Sequence, residues 1–150
     1  MHSSDVKKLV QVVHNEYRKC GFKLSHKYQF TVLAAFILTD GASSSVERSK
    51  VISMATGCKC LPDEKRSRIG CLVHDSHAEV LAHRGAIRWL YQEIQQRAMD
   101  PTNAAAWLDK NARGRWKLKE GVRLHLYVST VPCESPSRQW LLNVQIPSIC

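Results

Sequence analysis

The sequence has 150 residues, 44% hydrophobic and 23% charged, the balance of one globular domain rather than of a disordered chain, a collagen or a coiled coil. Its longest apolar run, Val32 to Leu38, is far short of the ~20 residues of a membrane span; Met1 to Lys8 lacks an apolar leader segment, so no membrane is expected and the expected compartment is cytoplasm or nucleus. Twenty-two basic against 13 acidic residues leave a net +9, which suits a polyanionic partner such as nucleic acid and equally suits plain solubility.

Val6, Leu9, Val10, Val13 and Tyr17 share one helical face, so residues 5–19 are predicted to form an amphipathic helix that stops at Gly21. Phe30 to Leu38 predicts a strand, with a buried helix as the alternative because Ala34 and Ala35 are weak strand formers. Asp40 to Ser45 reads as a turn and Lys50 to Ala55 as a second strand, together a hairpin. Lys59 to Gly70 is a basic surface loop carrying Lys59, Lys65, Arg66 and Arg68. Asp75 is predicted to cap a helix that starts at Ser76 and runs to about Ala98, with Val80, Leu81, Ile87, Leu90, Tyr91 and Ile94 as its apolar face. Asp100 to Asn103 ends it, and Ala104 to Trp116 is a connection of unassigned structure with room for one helical turn. Gly121 to Ser129 alternates strictly and is a strand; beyond Glu134 no period is visible. The order α, β, β, α, β implies an α/β domain of the α+β, mixed-sheet kind.

Six cysteines, Cys20, Cys58, Cys60, Cys71, Cys133 and Cys150, in a chain with no leader segment read as core, metal-binding or reactive thiols rather than a disulfide framework. One of them joins a pattern. His77-Ala78-Glu79 lies at a helix start, and Pro132-Cys133 follows a strand about 55 residues later. An H-x-E…P-C arrangement is the front of the zinc nucleobase deaminase signature. His77 and Cys133 have the donor chemistry for zinc, and a third protein ligand would leave one position open for water. Glu79 would then move the proton from that water to the base and the leaving amine. The same residues also admit a plain reading, in which His77 and Glu79 are solvated first-turn residues and Cys133 is a core thiol.

The flanking residues add a resemblance. Val51-Ile52-Ser53-Met54-Ala55-Thr56-Gly57-Cys58-Lys59-Cys60, His74 to Arg84, Trp116 to Lys119 and Leu124 to Cys133 resemble, in order and spacing, the N-terminal half of the deaminase domain shared by double-stranded-RNA adenosine deaminases and the tRNA adenosine deaminase. The resemblance covers roughly residues 5–133 and leaves 134–150 as a divergent tail. The short segment before it is more similar to the tRNA branch. The resemblance implies a cytidine-deaminase-like core and conversion of adenosine to inosine in RNA, most of all tRNA. It implies zinc on His77 and Cys133, with Glu79 as proton shuttle. It implies buried inositol hexakisphosphate near the positions of His83 and Arg84, with His83 standing where the family usually has Arg. Lys59 and Cys58 match the segment near the flipped nucleotide. The family does not use Cys58 and Cys60 as ligands, so both are expected to pack. His74 is expected to be an outer or exposed residue, and His125 a structural one. No protein partner is evident.

After Cys133 the resemblance stops: Glu134-Ser135-Pro136 replaces the helical continuation, and Pro136 opposes an uninterrupted helix. The third ligand has no matching context, and Cys150 is the last cysteine. The chain is therefore expected to be a truncated form, poorly folded or inactive alone. The competing readings are a non-catalytic basic RNA-binding fragment and, third, a deaminase of free nucleosides or cytosine, which would usually carry P-C-x-x-C.

Overall fold

The apolar run in the first third of the chain is a strand. Leu33–Asp40 (β1) is buried without a break from Leu33 to Leu38. Unbroken burial needs cover on both faces, which explains why the run does not alternate. The computed structural model describes residues 3–21, 31–40, 48–65, 67, 69–100 and 107–130. The predicted turn after Asp40, Arg66, Arg68, Cys133 and the tail 134–150 lie outside the described residues, apart from Asp40 itself.

Strand Ser49–Thr56 (β2) pairs antiparallel with β1, as the hairpin reading expects, and strand Val122–Val128 (β5) pairs antiparallel on the other side. The sheet order is β2-β1-β5. Helix Ser3–Lys19 (α1) covers one face: Leu9 and Val13 pack on Leu33, Ala35 and Ile37. Helix Ala78–Met99 (α2) covers the other, where Ala78, Ala82 and Ala86 meet Ala34, Phe36, Leu38 and Ile52. Alternate residues of β1 thus belong to two cores, as the period of two requires. The result is the mixed α/β arrangement, a sheet between two helices.

Three expectations are corrected. The face of α2 that meets the sheet is not the large apolar set but Ala78, Ala82, Ala86 and, partly buried, Trp89. Tyr91 is exposed. Small residues win because the helix lies almost on the strands: a Cβ on Gly85 would stand 3.0 Å from the Ser53 Cβ. Second, the connection before Trp116 contains a two-stranded ribbon, Leu108–Lys110 (β3) with Trp116–Leu118 (β4). Its turn is held by Asn111 Oδ1, which accepts from the Arg113 and Arg115 N–H groups at 2.9 Å each; three-residue strands are too short to leave a period. Third, α2 begins at Ala78, and Asp75 does not cap it.

One irregularity bears on the site. The register of β1 and β2 shifts between Phe36 and Ile37, so that Phe36 opposes Ser53 and Ile37 opposes Val51. Ile52 is the extra residue of a bulge. The bulge turns Ile52 and Ser53 to the same side, toward α2, where the Ser53 hydroxyl donates to the Ala82 carbonyl at 2.7 Å. The strand that leads into the site is thereby tied to the helix that carries it. Among the described residues no helix is long and apolar enough to cross a membrane.

Candidate active site

The chain leaving β2 is clamped against the segment that enters α2. The Ala78 N–H donates to the Gly57 carbonyl and the Ser76 N–H to the Lys59 carbonyl, each at 3.1 Å, and the Leu61 N–H donates to the His74 carbonyl at 2.8 Å. Cys60 and Asp75 form an isolated antiparallel bridge within this ladder. Gly57 is what permits it: a Cβ there would lie 1.9 Å from the Ser76 carbonyl oxygen. Two loops far apart in sequence are held at backbone contact, and the side chains they carry meet.

His77 is the residue just before α2, in an extended conformation, and its side chain makes no cap hydrogen bond. Asp75 grips it twice: Oδ1 accepts the His77 backbone N–H at 3.0 Å and lies 2.9 Å from the ring Nδ1. The ring is therefore oriented by a carboxylate two residues upstream, a support that metal-binding histidines usually have. Burial raises the Asp75 pKa, but the His77 backbone N–H, the His77 ring and the Cys60 thiol outweigh it, and the carboxyl stays below its ordinary value. Cys60 is exposed, not packed as expected, and its Sγ lies 3.3 Å from His77 Nδ1. Sequence reasoning missed both neighbours. The available signal was Asp75 two residues before His77; nothing local marks Cys60, because its approach is made by the ladder.

Glu79 sits in the first turn of α2 and is only 5% exposed. Among the described residues no hydrogen bond reaches its carboxylate. Taking a carboxylate out of water is costly unless something offsets it, and the positive end of α2 offsets only part. A solvated first-turn glutamate would not be buried, so the plain reading of Glu79 does not hold. Cys58 is half-buried and Lys59 exposed beside Cys60. His83 is half-buried with its ring 6.0 Å from that of Phe36, and burial, then the neighbouring Arg84 charge, hold its pKa below the ordinary value. Arg84 is exposed. His125 is structural, as expected: Nε2 is 2.8 Å from the Thr39 hydroxyl. The structure thus brings His77 and Glu79 to one helix start, adds Asp75 and Cys60, and leaves Cys133 outside the described residues.

The adenosine-deaminase (editase) domain matches residues 53–139, more than half of the chain and a span that includes His77, Glu79 and Cys133. The chain belongs to this family. The editase domain described above is similar to the double-stranded RNA-specific editase Adar of Drosophila melanogaster, 36% identical over 104 residues, which are 68% of this chain and 15% of that protein. It is 38% identical to the tRNA-specific adenosine deaminase 1 of Saccharomyces cerevisiae over 118 residues, 75% of this chain and 28% of that one. Against the tRNA-specific adenosine deaminase 1 of Homo sapiens it is 29% identical over 149 residues, 89% of this chain and 30% of that one. The editase chain therefore spans about 15–30% of the length of these relatives. Its donor set, an oriented imidazole with a thiol and a carboxylate whose ligand atoms lie within 4.8 Å of one another, fits a borderline cation such as zinc.

Proposed function

We propose that this chain serves the hydrolytic deamination of adenosine to inosine in RNA, with tRNA as the favoured substrate. The observation that carries the reading is the buried Glu79 carboxylate two residues beyond an oriented His77. His77 and Cys133 would hold zinc; when bound, the ion supplies the Lewis acidity that makes water nucleophilic near neutral pH. Glu79 takes one proton of the attacking water to the ring nitrogen, and then carries the second, from the new C6 hydroxyl, to the departing amine. Oxygen replaces nitrogen at C6 of the base, and ammonia leaves. A carboxylate shielded from solvent keeps that proton within the site instead of losing it to bulk water. Asp75 keeps the His77 ring in one orientation throughout.

The base must leave its stack to reach such a site. Lys59, exposed beside Cys60, would meet a phosphate of the extruded nucleotide. Among the described residues Arg84 offers one exposed guanidinium, and the His83 ring lies beside Phe36 and is held toward its neutral form, so these two alone do not fit inositol hexakisphosphate.

The test is inosine formation on tRNA and on duplex RNA by the purified 150-residue chain supplied with zinc, beside Glu79→Gln. Inosine in tRNA that depends on Glu79, with RNA binding unchanged in the variant, supports the reading. Any turnover is expected to be small, because only His77 and Cys133 of the expected ligands are assigned. RNA binding with no Glu79-dependent inosine favours the alternative, a basic RNA-binding fragment using the +9 charge.

A further inference from the structure

The ribbon between α2 and β5 carries charge that the site at the start of α2 does not use. From Lys110 to Lys119, Lys110, Arg113, Arg115, Lys117 and Lys119 are cations and no residue is an acid. All five are exposed, and none is in an ion pair among the described residues. The turn that bears them is fixed. Besides the two bonds to Asn111 Oδ1, the Asn111 N–H donates to the Arg115 carbonyl and the Gly114 N–H to the Asn111 carbonyl, each at 2.9 Å. Gly114 takes the positive φ of 73° that this turn requires.

Strand geometry sorts the charges. Side chains alternate across a strand, so Trp116 and Leu118 turn to one face, where Leu118 packs on the core. Arg115, Lys117 and Lys119 share the other. Pairing reaches beyond β4 at both ends, through the Asn111–Arg115 bond and through the Lys119 N–H, which donates to the Trp107 carbonyl at 3.0 Å. The three cations therefore stand in one row, about 7 Å apart, comparable with the spacing of successive phosphates along a nucleic-acid strand. Asp109, opposite Lys117, is the one ribbon acid on this face, and its Oδ1 accepts the Lys110 N–H at 2.9 Å. The row lies far from the site. Val122, where the ribbon leads into β5, pairs with Asp40 at the end of β1, whereas Leu33 at its start pairs with Thr56, next to Gly57. The length of β1 separates the two ends by about 25 Å.

We propose that the β3–β4 ribbon is a second RNA contact, in which Arg115, Lys117 and Lys119 engage backbone phosphates of the substrate at a distance from the nucleotide being deaminated. Such contacts set the position of an RNA without reading its sequence. Arg113 and Arg115 add forked donors that suit phosphate oxygens. The proposal rests on the reading of RNA as the substrate and gives it a surface outside the site.

The experiment is fluorescence anisotropy of a labelled RNA hairpin with the full 150-residue chain, in salt from about 50 to 200 mM. The ribbon variant is Arg115→Gln with Lys117→Gln. The control of equal charge is Lys7→Gln with Lys8→Gln, both exposed on α1. Polyglutamate serves as a second polyanion. The ribbon variant should bind RNA about 10-fold more weakly at about 100 mM salt, and its salt slope should fall by about 1.5, the worth of two phosphate contacts. The control should keep the parent slope. A second measurement is lysine acetylation of the wild-type chain with and without RNA, mapped by peptide mass. RNA should protect Lys117 and Lys119 but not Lys7 or Lys8.

Equal losses in the ribbon and control variants, without selective protection, would mean that binding follows net charge alone and would overturn the proposal. Polyglutamate bound as tightly as RNA, with the same dependence on the ribbon, would overturn RNA as the occupant in favour of an acidic protein. A chain that binds no RNA at about 50 mM salt would overturn it as well. Binding is read without turnover, so the deaminase reading fails or stands separately. Ribbon-dependent binding by a chain that makes no Glu79-dependent inosine upholds the proposal; Glu79-dependent inosine with unchanged binding in the ribbon variant overturns it. The acetylation pattern is read on the wild-type chain, so it decides the point even if a variant fails to fold.

Discussion

Replacing Gly57 by Ala tests the ladder on which the site depends. Gly57 is not among the glycines of positive φ, so its backbone is open to any residue and the obstacle is space alone. An added Cβ would lie 1.9 Å from the Ser76 carbonyl oxygen and 3.1 Å from its carbon, against the ~3.5 Å of ordinary contact. Both atoms are backbone, so no flexible side chain can swing aside. The segments must separate, which threatens the bonds from Ala78 to Gly57 and from Ser76 to Lys59. Overpacking strain is about 1–3 kcal/mol, and each lost bond adds roughly 1 kcal/mol net. Against this, Ala removes freedom from the unfolded chain and returns about 0.4–1 kcal/mol. The expected loss is about 2–4 kcal/mol. With a urea slope of about 2 kcal/mol/M, the middle of the usual range, the unfolding midpoint should fall by about 1–2 M. The contact of the Cys60 sulfur with the His77 ring should loosen with it, because the two no longer share a fixed register. A midpoint within roughly 0.3 M of the parent would refute the reasoning, since the close approach would then be yielding at no cost.

Gly85→Ala should gain up to about 1 kcal/mol of helix propensity and still destabilise the chain, because its Cβ meets that of Ser53 at 3.0 Å on a bulged strand. In a Ser53→Gly background the same change should become stabilising; a double-mutant cycle by urea unfolding reads the coupling. His83 and His125 both have pKa values lowered by burial first and then by Arg84 and Arg123 respectively. The unfolded chain therefore binds protons more readily than the folded one just below the ordinary value of 6.5. Stability should be full above that pH and decline as pH falls through 6.5 toward the lowered values, and unfolding midpoints between about pH 7.5 and 5 should fall less in His125→Gln. Flat midpoints over that range would show that neither imidazole is held toward its neutral form.

The sequence by itself determined most of the element list and the start of the site. The face of α1 was legible because Leu9 and Val13 repeat at helical spacing, and β5 because it alternates. His77 and Glu79 were legible as a candidate pair because an imidazole and a carboxylate stand two residues apart at a helix start. Other features were decided only when the chain closed on itself. The run in β1 could be told from a buried helix only by the two helices that cover its faces. The contact stripe of α2 consists of Ala78, Ala82 and Ala86, which periodicity of large apolar residues passes over, because close packing on a sheet selects for the absence of bulk. Asp75 looked like a cap for the helix, yet its carboxylate turns to the backbone N–H and the ring of His77 two residues on. Cys60 shows the division most directly. It lies 17 positions from His77 in the chain, and no local pattern joins them. The hydrogen bonds at Gly57, Lys59 and Leu61 bring its sulfur to the imidazole, and a distance set by backbone pairing between separate segments is a property of the fold that no spacing of residues records.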